Sequence, residues 1–158
     1  MDGFQTPLLV CEYMKSFIPV KTKTILEPTP GRGNLVSVLG EYDVTAPNNF
    51  FEMPIKHFDA VVMNPPFTPM KKGYEILYSC MEMSDVVIAL MPWLVIINSA
   101  KRTKDLIEFG LRSITHLPRK TFNGSRVQTC ILELVKGYSG SIDFIIYDRD
   151  VPENFGRE

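Results

Sequence analysis

A chain of 158 residues, 45% of them hydrophobic, is long enough to bury one core and too short for two comfortable domains, so a single domain over 1–158 is expected. The net charge of -1 and isoelectric point near 6.1 exclude nucleic-acid binding through overall charge; any such surface must be local. The apolar run 86–97 is broken by Pro92 and too short to cross a bilayer, and the N-terminus lacks the basic-then-apolar pattern of an export signal. Cys11, Cys80 and Cys130 are odd in number and widely spaced in apolar contexts. They read as reduced core cysteines of a cytoplasmic protein. His57 and His116 have no partner spacing for a metal, so no metal site and no membrane partner are expected.

In chain order, Thr6-Pro7 predicts a helix start, with Thr6 as N-cap and Pro7 at the first helical position, and apolar spacing carries that helix over Leu8 to Ile18. Thr24 to Pro28 reads as a short strand, followed by the Gly-rich turn Thr29-Pro30-Gly31-Arg32-Gly33-Asn34 and a helix at Leu35 to Leu39. Tyr42 to Thr45 is a second strand. Ala46 to His57 is loop with at most a short extended piece at Phe50-Phe51, and Asp59 to Asn64 is a strand buried on both faces. A helix over Tyr74 to Met83, a buried strand over Asp85 to Met91 ending at Pro92, and a helix over Lys101 to Gly110 follow. Strands at Ser113 to Leu117, Val127 to Val135 and Ile142 to Tyr147 complete the pattern. Alternation of strands and helices followed by β-rich sequence predicts a mostly parallel sheet with helices on both faces and an antiparallel hairpin at its C-terminal edge.

Asn64-Pro65-Pro66-Phe67 closes a buried strand at its carboxyl end, where open α/β sheets bind ligands. The two prolines fix φ and lack N–H groups, so the turn is a stiff set of acceptors. The Asn64 side-chain oxygen and the Pro65 carbonyl could each take one N–H of a conjugated amine and stabilise the charge that develops as its nitrogen attacks an electrophilic methyl, while Phe67 stacks on the planar group. The other reading is a strand-ending turn and nothing more. Upstream, Glu27-Pro28-Thr29-Pro30-Gly31-Arg32-Gly33 places two glycines between the first strand and its crossover helix, where a ligand can approach the backbone closely. Val36 stands where a dinucleotide fingerprint needs its third glycine, and no Gly-Lys-Ser/Thr follows, which excludes a Walker phosphate loop. Glu27 at the strand end suits a ligand with hydroxyls or an ammonium group. A tight connection whose glycines serve geometry alone is the alternative.

Together these segments make the chain resemble a class I S-adenosylmethionine-dependent methyltransferase, the N6-adenine DNA methyltransferases in particular. Glu27 to Gly33 resembles the cofactor motif, Asn64 to Phe67 the catalytic motif, Phe4-Gln5-Thr6-Pro7 the N-terminal motif, and Phe122 to Ile131 the late hairpin motif. The four occur in the family's order. The resemblance implies a Rossmann-like fold and S-adenosyl-L-methionine as cofactor, lined by Glu27, Pro28, Thr29, Gly31 and Gly33 with Thr6 and Pro7 near its carboxylate end. It makes Asp43, taken as the end of the second strand, the candidate for the ribose hydroxyls. Asn64, Pro65, Pro66 and Phe67 would be catalytic, with Phe122 packing on the target.

Two departures accompany it. Gly33 and Asn64 are only thirty-one positions apart, so the second and third strand-helix units must be shortened, and Asn49 stands where the family has an Asp contacting the cofactor adenine. A separate target-recognition domain does not fit. From Lys101 to Arg126 seven basic residues face two acidic ones; with Lys71 and Lys72 beside the catalytic turn, and Arg126, they could hold a phosphate backbone or form a solvated face. Trp93 either walls the target pocket or is core. The expected function is methyl transfer to adenine N6, with DNA ahead of RNA as partner and a recognition partner or homo-oligomer supplying missing surface. The alternatives are an RNA adenine or guanine or protein glutamine N-methyltransferase, and an inactive methyltransferase-like binding subunit.

Overall fold

Two short strands, β1 (Thr24–Leu26) and β3 (Ala60–Met63), pair in parallel although β2 (Asp43–Thr45) lies between them in the chain. Asp59 fixes their register. Its Oδ2 accepts the backbone N–H groups of Lys23 (2.9 Å) and Thr24 (3.0 Å), and its own N–H donates to Thr24 Oγ1 (2.9 Å). The N–H of Thr24, and then that of Lys23, hold the Asp59 carboxyl below the usual carboxylate range. The computed structural model describes residues 6–31, 33–65, 69–121 and 127–148.

With β4 (Val86–Pro92), β5 (Leu111–Leu117), β6 (Thr129–Val135) and β7 (Asp143–Ile146), the sheet has the order β2-β1-β3-β4-β6-β5-β7. β1 to β4 are mutually parallel, β6 is antiparallel to both β4 and β5, and β7 is parallel to β5. From β1 the chain moves outward to β2, then returns across β1 to β3 and continues the other way. Strand order therefore reverses between β1 and β3, and the crevice beyond their carboxyl ends is the topological switch point.

Strand residues feed two cores by alternation. Val61, Met63, Val87, Ala89 and Met91 face one side, with Ile76, Leu77 and Cys80 of α3 (Met70–Met83), Val95 of α4 (Leu94–Ile97) and Leu106 of α5 (Ala100–Phe109). Ala60, Val62, Ile88 and Leu90 face the other, with Val10, Cys11 and Met14 of α1 (Leu8–Lys15) and Leu35 of α2 (Asn34–Ser37). Helices on both faces of a mostly parallel sheet match the sequence expectation. All four residues of β3 are buried, as the continuous apolar run requires.

Several details differ from that expectation. The hairpin is present as β5 and β6, but β6 inserts between β4 and β5, and the last strand, β7, runs parallel to β5 at the edge. Phe50–Glu52 is a 3-10 helix, not an extended piece, because the Asn49 side chain accepts from Phe51 N and caps a turn. Pro7, not Thr6, is the N-cap of α1, and no side chain caps it. The shortening of the second and third units is visible: α2 has four residues and β2 three, and between Thr45 and Ala60 the 3-10 helix is the one helical element. Short α4 after Pro92 was not anticipated.

Gly110 ends α5 with φ 142° and its carbonyl accepts from Val135 N at 2.9 Å. A Cβ there would sit 1.9 Å from the Val135 carbonyl oxygen. Backbone strain and that clash act together, so Gly110→Ala is expected to cost at least about 2–3 kcal/mol, read as a lower urea midpoint. An unchanged midpoint would contradict this account of the α5–β5 junction.

Candidate active site

The first turn grows out of β1. Glu27 continues the ladder by one residue, its N–H donating to Thr45 O at 2.9 Å. Its side chain turns inward and is 1% exposed. Oε1 accepts the Thr29 N–H at 2.7 Å and the Thr29 hydroxyl at 3.4 Å. Gly31 (φ 54°) and Gly33 (φ 88°) take left-handed conformations, and Gly33 N donates to Pro30 O at 2.8 Å to close the turn before Asn34. A Cβ at Gly33 would meet nothing within 4 Å, so glycine is required there by φ rather than by space.

The second turn grows out of β3. Asn64 follows Met63 directly, and Pro65 behind it is buried. Thr29 Oγ1 donates to the Asn64 carbonyl at 3.1 Å, which ties the first turn to the second. Asn64 Nδ2 donates to Thr6 Oγ1 at 2.5 Å. Thr6 is itself 3% exposed, and its carbonyl accepts from Asn34 Nδ2 (3.0 Å) and Cys11 Sγ (3.7 Å). Three segments remote in sequence, around 6, 27–34 and 64, thus close on one another at the switch point. With Nδ2 engaged, Oδ1 is the end of the Asn64 amide left to accept.

Electrostatics single out Glu27. Burial pushes its carboxyl up from 4.5 to about 8, against the opposing pull of the Thr29 N–H and hydroxyl. Among the described residues the ion pairs are Lys15–Glu41 and Lys101–Asp105, and neither reaches Glu27. Burial first, and the Glu27 charge second, raise the Cys11 thiol to about 12. Cys11, Cys80 and Cys130 are free and buried, as expected of core cysteines. A buried carboxyl that pairs with no cation among the described residues, at the head of a turn with two left-handed glycines, fits a ligand that carries an ammonium group.

Hydrogen bonds join Thr6, Glu27, Thr29 and Asn64 at the carboxyl ends of β1 and β3, and Pro7, Pro28, Gly31, Gly33 and Pro65 stand within two residues of them in the chain or, for Gly33, beside the bonded Asn34. Pro66, Phe67, Phe122 and Arg126 lie outside the described residues. Asp43 needs correction: it is the first residue of β2, level with Thr24, while Thr45 is level with Leu26. It therefore sits about 7 Å from the carboxyl edge, two residues of strand rise, and cannot reach a ligand at the Gly-rich turn. The exposed Asn49 uses its Oδ1 to cap the 3-10 helix.

Lys71 and Lys72 are exposed in the first turn of α3, and Lys72 Nζ lies 5.5 Å from the Phe51 ring centroid. Phe51, Lys71, Tyr74, Glu75, Tyr78 and Ser79 line an open cavity of about 670 Å³ along that helix. The basic cluster is divided. Arg102 Nη1 donates to Asn98 Oδ1 (2.7 Å) and Val95 O (3.2 Å), with its guanidinium 3.6 Å from the Tyr74 centroid, and Lys101 pairs with Asp105. Trp93 donates to His116 Nδ1 at 2.9 Å and meets Phe144 edge-on. β5 lies three strand spacings from β3, about 14 Å, so Trp93 leans away from Asn64. Sequence reasoning missed Asn34 and the hydroxyl role of Thr6; a polar residue directly after a left-handed glycine was the available signal for the former.

No family model and no curated protein matches the chain. Solved structures do. A type I restriction-modification methyltransferase subunit from Streptococcus thermophilus is similar over 90% of this chain and 47% of its own, at TM-score 0.71 and 16% identity. A Listeria monocytogenes protein assigned to the class I S-adenosylmethionine-dependent methyltransferases is similar over 90% and 65%, at 0.68 and 17%. A Pyrococcus horikoshii protein assigned as an RNA methyltransferase is similar over 84% and 87%, at 0.56 and 19%. The chain has the class I methyltransferase fold. It spans about half the length of the type I restriction-modification subunits it is similar to, and no helix among its described residues is long and apolar enough to cross a membrane.

Glu27 yields a pH prediction. A carboxyl raised from 4.5 to about 8 in the folded state binds its proton more tightly folded than unfolded, so its contribution is full below 4.5 and is lost as pH rises through 8. Glu27→Gln should flatten the fall in chemical stability between pH 5 and 8.5 relative to the unaltered protein. Parallel stability curves would refute the buried, unpaired carboxyl.

Proposed function

We propose that this chain is an S-adenosylmethionine-dependent N-methyltransferase acting on an exocyclic amine, adenine N6 in DNA. The observation that carries the reading is the junction of the two turns: Asn64, held through its side-chain Nδ2 by Thr6 and through its backbone carbonyl by Thr29, meets at the switch point the turn that buries Glu27. When bound, S-adenosylmethionine would supply an electrophilic methyl group on a sulfonium centre. Glu27 fits its ammonium group, and a cation there would favour the ionised carboxylate. Thr6, Pro7, Pro28, Thr29, Gly31 and Gly33 are assigned to the same pocket, and Asn49 to its adenine end through the amide donor that capping leaves over.

The acceptor chemistry belongs to this chain's own groups. Asn64 Oδ1 and the Pro65 carbonyl each accept one N–H of the target amine, which orients the nitrogen lone pair and stabilises the positive charge that develops there. Pro66 keeps the turn rigid. Phe67 and Phe122 are assigned to the planar base, and Lys71, Lys72 and Arg126 to phosphates. Alignment of nitrogen, methyl and sulfur is then a positioning problem, and the rigid turn serves it.

The type I restriction-modification subunits of the same fold support DNA as the polymer, and a similar structure that shows the assembly of a type I restriction-modification system supports a recognition partner or second copy. Base extrusion costs a few kcal/mol, which a small catalytic surface alone does not offset. The Pyrococcus horikoshii structure supports RNA as the second reading. Labelled methyl should pass from the cofactor to DNA ahead of RNA or protein when the three are offered in parallel. Asn64→Ala should abolish transfer while S-adenosylhomocysteine still raises the melting temperature; at a hundred times its Kd the ligand adds about 2.7 kcal/mol. Transfer undiminished in Asn64→Ala overturns the assignment of the clamp, and absence of any cofactor-induced shift favours an inactive binding subunit.

A further inference from the structure

The two ends of a carboxamide are nearly the same size, so shape alone does not decide which one faces the reacting amine. In an acceptor clamp the choice matters. An amide turned the wrong way would point N–H at N–H and repel the group it should hold. In this structure the Asn64 Nδ2 donates to Thr6 Oγ1, and its backbone carbonyl is held separately by Thr29. The orientation of Asn64 therefore depends on a hydroxyl fifty-eight residues away in sequence.

That hydroxyl is itself built in. Thr6 is 3% exposed, and its main chain is anchored from two sides through its carbonyl, by Asn34 Nδ2 at 3.0 Å and Cys11 Sγ at 3.7 Å. It caps nothing: the N-cap of α1 is Pro7, with no side-chain cap bond. The Asn64–Thr6 bond joins the segment before α1 to the end of β3, so it serves neither helix nor strand. Among the described residues the hydroxyl of this buried side chain meets the proposed clamp and no element of secondary structure, so its use is at the clamp.

We infer that Thr6 is a positioning residue for methyl transfer: its hydroxyl accepts from Asn64 Nδ2 and so presents Oδ1 to the target amine, with Asn34 and Cys11 holding Thr6 in place. This rests on the methyl-transfer reading above and adds to it a residue that acts through Asn64, separately from any contact that Thr6 makes with the cofactor. It also makes the N-terminal segment part of the reaction geometry.

The test compares Thr6→Val, which keeps the shape and removes the hydroxyl, with Thr6→Ser, which keeps the hydroxyl. Steady-state methyl transfer to DNA is expected to show kcat reduced on the order of 10–100-fold in Thr6→Val with the cofactor KM changed little, as for a misplaced reacting group, and largely restored in Thr6→Ser. The side-chain amide protons of Asn64, assigned by NMR, supply a readout independent of turnover. One should lie downfield in the unaltered protein and in Thr6→Ser, and move upfield in Thr6→Val. A raised cofactor KM with kcat retained would assign Thr6 to cofactor binding alone and overturn the inference, as would an unmoved Asn64 amide resonance. If the unaltered protein transfers no methyl, or Asn64→Ala remains active, the methyl-transfer reading fails and this inference with it.

Discussion

The hydrogen bond from the Thr29 hydroxyl to the Asn64 carbonyl, 3.1 Å long, is the contact on which the site depends. It exists because β1 and β3 are neighbours whose register Asp59 fixes by bonds to Lys23 N and Thr24 N at their amino ends. That register pairs Leu26 with Val61, so Thr29 and Asn64 each follow the paired residues by three positions and come level with one another. A slip of one residue would turn every β3 side chain to the opposite core and separate the two turns. The chemistry at the carboxyl edge is thus set by a carboxylate at the amino edge of the same strand pair.

Burial at this junction is costly and selective at once. Glu27 loses its solvent and, among the described residues, gains the Thr29 N–H and hydroxyl; burial outweighs them and keeps its carboxyl protonated to about 8. Buried groups left partly satisfied are found where a ligand completes them. The short path from Gly33 to Asn64 adds to this. β2 is only three residues long and is the terminal strand of the sheet, so on the proposed function the contacts at Glu27, Thr6 and the left-handed glycines carry most of the cofactor's binding. Three of the ordered contacts there, those of Thr6, Asn34 and Thr29, are side-chain hydrogen bonds between segments rather than ladder bonds.

Much of this was legible in the sequence. The run Ala60–Met63 read as a strand buried on both faces because its residues are continuously apolar, and both its position and the turn it presents follow from that pattern and from Pro65. The glycine turn was legible because positive φ leaves few residue choices. What the sequence concealed was tertiary. Asp43 reads in the sequence as the end of the second strand, yet pairing starts at Asp43 and runs to Thr45. Thr6-Pro7 has the local form of a helix cap, but the hydroxyl finds a partner on β3, a contact that no local pattern encodes. Phe50-Phe51 reads at most as a short extended piece in a loop, and the Asn49 cap makes it a 3-10 helix. Trp93 beside Pro92 gave no hint that its indole N–H would turn to His116.

On the proposed function, the switch point between β1 and β3 is a cofactor pocket joined to the Asn64 clamp. A titration of the isotopically labelled protein with S-adenosylhomocysteine, followed by amide resonances, tests it most directly. Saturable shifts are expected at Thr6, Glu27, Thr29, Gly31, Gly33 and Asn64, with the sheet beyond β6 unmoved. Shifts centred elsewhere, on α3 or on β7, or no saturable shift at all, would contradict it.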